Sequence, residues 1–324
     1  MKSHKNIDSK TSQKNLTRRK FMYNAAGICL YPHLIGSTLA AEVTNQKKQQ
    51  LLRRIPSSGE LIPAVGMGTS RTFNADISNR SEMDTLQEVL AIFYAMGGRL
   101  LDTSPMYDKA EQVSGHLVKQ LGIENKLFTA TKVWTYGEQS GIEQMQSSFD
   151  LLADKPLDLM QIHNLRDWKI HLRTLRDWKE KGIIRYIGIT HYRTDAFDDL
   201  EKIMQSEDID WVQLNYSIAT REAEEKLLPL AQDKGIATMI NRPFERGALF
   251  NKTRGKKLPE WVSDYDINSW GQFFLKYILS HQAVTSVIPA TSKPKHMKDN
   301  MSAGIGVMLD SQGLKKMKSH FEQL

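Results

Sequence analysis

From residue 51 onward the chain alternates between two hydrophobic periods. LLRRIPSSGELIPAVGMGT (51–69) reads as a small hairpin turning at Ser58-Gly59 and leading into a first strand. Helical spacing then recurs at 81–96, 108–120, 139–153, 172–181, 195–206, 222–234, 269–280 and 294–303. Short apolar runs at 99–102, 127–132, 157–162, 186–190, 211–215, 236–241 and 285–289 separate those segments and read as strands. Gly122, Gly182 and Gly235 fall where helices should end, the usual place for a glycine just past a C-cap. Strands that alternate with helices predict a parallel sheet, and eight such units predict closure. The expected fold class is α/β, a (β/α)8 TIM barrel over 51–324 with a short N-terminal β-hairpin. No GxGxxG follows a strand and no phosphate-binding lysine loop is present, so a Rossmann fold has no positive support.

Composition changes this picture little. The chain has 324 residues, 40% hydrophobic and 25% charged, as ordinary soluble proteins do. Its net charge of +7 is mostly a property of the first forty residues, where seven lysines and arginines face only Asp8. The remainder is nearly neutral, so a nucleic-acid partner is not expected. The single cysteine, Cys29, lies in the same leader. A body without cysteine excludes disulfides, thiolate catalysis and cysteine metal ligands.

The leader has its own grammar. Residues 1–20 are polar and basic, and 21–40 are moderately apolar and end in small residues, the order of a secretory signal. Thr17-Arg18-Arg19-Lys20-Phe21-Met22 resembles the twin-arginine motif, which sends folded proteins across a bacterial inner membrane. Cleavage is expected at Thr38-Leu39-Ala40, followed by a polar linker over 41–50. These features predict a periplasmic protein that meets the twin-arginine translocon during export. A basic tail followed by a short amphipathic helix is the plainer alternative.

Chemistry gathers at strand ends. In LLDTSPMY (100–107), LFTATKVW (127–134) and DLMQIHN (158–164), Asp102, Tyr107, Lys132 and His163 stand at or just past three successive strands. A barrel places its active site at that face. A phenol is a poor acid near neutrality, but an adjacent ammonium stabilises the phenolate, and a carboxylate keeps the ammonium in place. Tyr107 is therefore the candidate proton donor, Lys132 its tuner, Asp102 the anchor of Lys132, and His163 the holder of a substrate carbonyl oxygen. None of these groups supplies a hydride, so a nicotinamide cofactor is required. Singly, each has an ordinary reading: a helix N-cap, rim packing, a solvated terminus and a core histidine. Their joint placement argues for the active-site reading. A metal-dependent lyase or hydrolase using His163 and Asp102 lacks a further ligand at suitable spacing.

Over roughly 51–303 the chain resembles the aldo/keto reductase superfamily. The resemblance rests on DTSPMYDKAEQVSGHLV with Glu111 and Gly115, on TKVW, on QIHN, and on KGIIRYIGIT. It implies a cofactor extended across the barrel mouth and a single-step, metal-free hydride transfer to a small aldehyde or ketone. It also implies cofactor contacts. Gln213 in WVQLNY matches the residue that holds the nicotinamide carboxamide, and Thr190-His191 stands where the family has Ser-Asn. In INRPFERGAL, Asn241 replaces the ring that stacks on nicotinamide, with Arg242 and Phe244 beside it. In IPATSKPKHMKDN (288–300), Ser292, Lys293 and Lys298 face the adenosine phosphate, and Asp299 and Asn300 the adenine. His296 stands where arginine is common. NADP(H) is favoured, with NAD(H) as the alternative. Trp134, Tyr136 and Tyr192 are expected to line the substrate end and Trp261 and Tyr265 to belong to a lid, with packing of these loop aromatics onto the barrel as an equal alternative. The departures at Asn241 and His191 leave open a nicotinamide-binding sensor with little turnover. The sequence does not indicate an oligomeric state.

Overall fold

A hairpin precedes the barrel. Strands β1 (Leu52–Arg54) and β2 (Leu61–Pro63) pair antiparallel. Gly59 turns between them with φ 77°, a conformation that glycine adopts without strain. The computed structural model describes residues 49–152 and 156–324. The expected signal peptide and the linker as far as residue 48 lie outside the described residues.

Among the described residues eight parallel strands follow in sequence order: β3 (Met67–Gly68), β4 (Leu100–Asp102), β5 (Phe128–Val133), β6 (Leu157–His163), β7 (Ile184–His191), β8 (Trp211–Asn215), β9 (Ala237–Asn241) and β10 (Ser286–Val287). Bridges from Val65 to Val287 and from Gly68 to Ala290 bring the last strand back to the first. Helices α1 (Arg80–Ala95), α2 (Ala110–Leu121), α3 (Glu138–Leu152), α4 (Trp168–Glu180), α5 (Phe197–Ser206) and α6 (Leu227–Lys234) lie between successive strands. The last crossover holds a short α7 (Ala248–Lys252) and α8 (Trp270–Leu279), and the chain finishes with α9 (Pro294–Ser302) and α10 (Ser311–Glu322). The (β/α)8 expectation holds.

Strand periodicity divides the core in two. Side chains alternate across a strand, so one set fills the barrel and the other meets the helices. Leu100, Phe128, Ala130, Leu159, Tyr186, Trp211, Ala237, Met239 and Ile288 form the inner cluster, joined by Ile55 and Ile62 of the hairpin. Leu101, Met160, Ile162, Val212, Leu214 and Ile240 belong to the larger outer cluster packed under the helices. Gly188 is inward on β7 for want of room: a Cβ there would lie 2.9 Å from Gln161 Cγ and 3.3 Å from Trp211 Cβ.

Several boundaries differ from the sequence expectation for identifiable reasons. The helix expected over 222–234 divides into a 3-10 turn (Glu222–Glu224) and α6, because Pro229 lacks the N–H needed to carry a longer helix through it. Helix α10 was not expected at all. Its buried face is the narrow stripe Gly313, Met317 and Phe321 among lysines and polar residues, too thin to announce a helix. Gly122, Gly182 and Gly235 take φ of 63°, 70° and 67° at helix ends, as expected. Lys276 on α8 is wholly buried and donates to the carbonyls of Tyr265 (2.7 Å), Ile305 (2.9 Å) and Val307 (2.8 Å). Two long connections are thereby tied to one helix.

Glu111 and Gly115 sit one turn apart on α2, and packing accounts for both. Glu111 accepts a short hydrogen bond from Thr131 on the outer face of β5. Gly115 faces the end of α3, where a Cβ would lie 1.7 Å from the Leu151 carbonyl oxygen. Gly115→Ala should therefore cost about 1–3 kcal/mol of stability by forcing α2 and α3 apart. Urea unfolding followed by circular dichroism measures this, and an unchanged midpoint would contradict it.

Candidate active site

The catalytic candidates follow from inward positions on neighbouring strands. Asp102 ends β4, Lys132 lies near the end of β5, Gln161 and His163 lie near the end of β6, and Gln213 lies on β8. Register places Gly68 beside Asp102, Lys132 beside Gln161, and Thr190 beside Gln213. Lys132 Nζ donates to both Asp102 oxygens, at 2.8 and 2.7 Å, and to the Thr103 carbonyl at 2.7 Å. Asp102 Oδ1 also accepts from Gln161 Nε2 at 2.9 Å and Gln213 Nε2 at 3.0 Å. Asp102 and Lys132 are 1% and 0% exposed, so neither charge has water to fall back on. A buried pair of this kind persists only when further hydrogen bonds satisfy it.

Tyr107 approaches the pair from the loop after β4. The turn is set by the Tyr107 N–H donating to the Ser104 carbonyl at 3.0 Å and by α2 beginning at Ala110. The Lys132 ammonium lies 5.1 Å from the Tyr107 ring centroid. Burial pushes the Tyr107 phenol above its ordinary value, and the neighbouring Lys132 opposes that rise. Lowering by Lys132, the expectation from the sequence, is thus one side of a balance that burial wins. For Lys132, burial pulls down, but Asp102 and Tyr107 together hold the ammonium above its usual range. It remains charged.

His163 meets the phenol edge-on, with ring centroids 5.8 Å apart. Its Nδ1 is 3.1 Å from Ser104 Oγ, which already accepts the Met106 N–H. With the Ser104 hydroxyl donating to Nδ1, a neutral imidazole carries its ring proton on Nε2, the tautomer that can donate into the cavity. Burial first, then the charge of Lys132, lowers the His163 pKa to about 3. The ring is a neutral donor at ordinary pH.

These groups open into a cavity of about 1610 Å³. Asp102, Tyr107, Trp134, His163, Thr190, Tyr192, Gln213, Asn241, Arg242, Phe244, His296, Lys298, Asp299 and Asn300 all line it. His191, Ser292 and Lys293 do not. The His191 ring stacks on Tyr192 at 5.5 Å, and Lys293 occupies the N-cap of α9. Lys295 lines the cavity beside Lys298. The expected lid aromatics are also elsewhere: Trp261 packs on Tyr265 at 6.4 Å and on His320 at 6.5 Å. Phe250 and the segment Asn268–Gln272, with Trp270, line the cavity instead. Asp299 accepts from Ser269 Oγ (2.6 Å) and Gln272 Nε2 (2.7 Å), joining the two walls at this end.

Arg71, Ser104, Gln161, Asn164 and Arg246 are site residues that the sequence reading missed. Gln161 was findable, since it is the inward residue two before His163 on the same strand. Asn241 Nδ2 reaches Gln213 Oε1 at 3.4 Å, and Thr190 Oγ1 reaches the same oxygen at 3.2 Å. Among the described residues no cluster of histidine, cysteine, aspartate and glutamate is placed to hold a metal.

The barrel with this tetrad at its mouth defines an oxidoreductase scaffold. Residues 64–322 match the model of the aldo/keto reductase family, and the chain belongs to that family. It is 24% identical over 313 residues to the uncharacterized oxidoreductase YqkF of Bacillus subtilis, covering 84% of this chain and 96% of that one. It is 27% identical over 297 residues to the NADH-specific methylglyoxal reductase of Escherichia coli, covering 74% and 87%. Among solved structures, it resembles an aldo-keto reductase from Klebsiella pneumoniae in complex with NADPH, with TM-score 0.68, 21% identity and coverage of 85% and 95%. The holo form of aldo-keto reductase AKR11C1 from Bacillus halodurans gives TM-score 0.65 at 23% identity, covering 84% and 96%.

The depressed His163 pKa has a stability consequence. Between about 3 and the ordinary 6.5, the unfolded chain binds a proton at this ring that the native protein does not. Stability contributed by the neutral ring is present above 6.5 and is lost as pH falls through that window. His163→Gln should flatten the fall in urea midpoint between about pH 6.5 and 4. An unaltered slope would mean that the histidine titrates normally.

Proposed function

We propose that the protein reduces small aldehydes or ketones with a nicotinamide cofactor, Tyr107 being the general acid. The observation that carries this reading is the convergence of Tyr107, Lys132, Asp102 and His163 at one end of the cavity. A dinucleotide suits the remainder. The volume exceeds the roughly 300–1,000 Å³ of ordinary small-ligand pockets, and Lys295, His296 and Lys298 in its lining are available to a phosphate. Asp299 and Asn300 would face the adenine, and Thr190, Gln213 and Asn241 the nicotinamide end. When bound, the reduced nicotinamide supplies the hydride. His163 Nε2 orients the carbonyl oxygen, and the Tyr107 hydroxyl delivers the proton to it. Lys132 then stabilises the phenolate, and Asp102 keeps Lys132 in place.

NADP(H) is the favoured cofactor. The support is the group of cations on α9 and the NADPH in the Klebsiella relative, whereas the Escherichia coli relative is named as NADH-specific. Lys298→Ala should weaken NADPH binding about tenfold and leave NADH binding nearly unchanged. Equal losses for the two would remove Lys298 from a phosphate site. Tyr107→Phe should lower turnover of an aromatic aldehyde by about 10²–10⁴-fold while NADPH still quenches tryptophan fluorescence. Retained turnover would end the general-acid assignment.

Export in folded form is part of the same proposal and rests on the twin-arginine-like leader. Cofactor would then be loaded before export and held. Arg18→Lys with Arg19→Lys should keep the protein in the cytosol. Denatured periplasmic protein should release nicotinamide, and its absence would refute loading before export. A sensor with little turnover is favoured by one feature, Asn241 in place of a stacking ring, and would show binding without reduction across an aldehyde panel.

A further inference from the structure

Arg242 lines the cavity together with the reacting groups and two further arginines. It directly follows β9 and holds φ at 52°, a left-handed conformation that glycine or asparagine would take more cheaply. Its guanidinium lies 3.8 Å from the Tyr192 ring centroid, a cation–π arrangement that fixes the side chain at the cavity wall. Arg71 and Arg246, also with positive φ (62° and 54°), line the same cavity, and both act on Arg242. Burial and these neighbours hold Arg242 below the usual arginine range.

No carboxylate pairs directly with these guanidiniums, although the charge of Glu245 acts on Arg242 from a distance. Among the described residues none of the three guanidiniums makes an ion pair or a side-chain hydrogen bond. The nearby acids are engaged elsewhere. Glu245 accepts from Ser217 at 2.7 Å, Asp108 accepts from Asn74 at 3.2 Å, and Asp102 is committed to Lys132. Strained backbone that presents an unpaired, partly desolvated cation to a cavity calls for an anionic occupant.

We propose that the carbonyl substrate carries an oxyanion, a carboxylate or a phosphate, and that Arg242 binds it, with Arg71 alongside. This rests on carbonyl reduction at Tyr107. Two sources of oxyanion exist in such a site, the substrate and the pyrophosphate of the dinucleotide. Arg242 is assigned to the substrate because its side chain rests on Tyr192, which lines the same cavity as Tyr107 and His163. Lys295 and Lys298 line the cavity from α9, beside the residues proposed to face the adenine.

The test uses NADPH-loaded protein and two alcohols of matched shape, 4-(hydroxymethyl)benzoate and neutral 4-methylbenzyl alcohol, with binding read by calorimetry. The carboxylate should bind about tenfold more tightly. Arg242→Met should abolish that advantage, and Arg242→Lys should keep part of it. Arg71→Met, away from β9, should reduce the same advantage and gives an independent reading. Equal binding of both alcohols to the unaltered protein would overturn the proposal, as would an advantage that survives Arg242→Met. A loss of NADPH affinity in Arg242→Met would also overturn it, by assigning the residue to the pyrophosphate. Reduction of 4-carboxybenzaldehyde separates this from the parent reading. Turnover without a carboxylate advantage defeats only the anion site, and an advantage without turnover defeats only the reductase.

Discussion

The buried pair of Asp102 and Lys132 is the constraint around which the upper barrel is arranged. Neither group tolerates losing the other in a space without water, where breaking such a pair costs about 3–5 kcal/mol. Satisfying the carboxylate engages Gln161 from β6 and Gln213 from β8. Seating Gln161 in turn leaves no room for a side chain at position 188. One ion pair thus dictates the identities of inward residues on five successive strands, β4 to β8. The barrel end is rigid where Tyr107 must be aimed, and the loops beyond it are free to vary.

Much of this was readable beforehand because period-two strands have little freedom. Once β4, β5 and β6 are located, inward and outward faces are fixed, and Asp102, Lys132 and His163 fall on the same side. The parts that escaped the sequence depend on longer range. Trp261 and Tyr265 looked like lid residues, yet α10 offers them His320 and a packing surface that no local pattern announces. Arg71 and Arg246 lie far apart in the chain, and only barrel closure brings them to one cavity. The phenol's pKa could not be read either. The charge of Lys132 is visible in the sequence, but the burial that outweighs it is a property of the closed site.

The site separates its two electrostatic tasks. Around Tyr107 the charges of Asp102 and Lys132 are paired and the His163 ring is neutral. Along the rest of the cavity Arg71, Arg242 and Arg246 line the wall without an ion pair among the described residues. A large cavity allows both. Asn241 fits this division, since a small amide at the end of β9 contacts Gln213 without covering the wall that Arg242 and Tyr192 form.

Lys276 gives the molecule a shared hinge pin. The connection ending at Tyr265 and the turn at Ile305–Val307 surrender carbonyls to the same ammonium. Lifting either one strips a buried cation of part of its solvation, which makes release of the second easier. The connection ending at Tyr265 and the approach to the final helix are thereby coupled, and their amide hydrogens are expected to exchange together rather than independently.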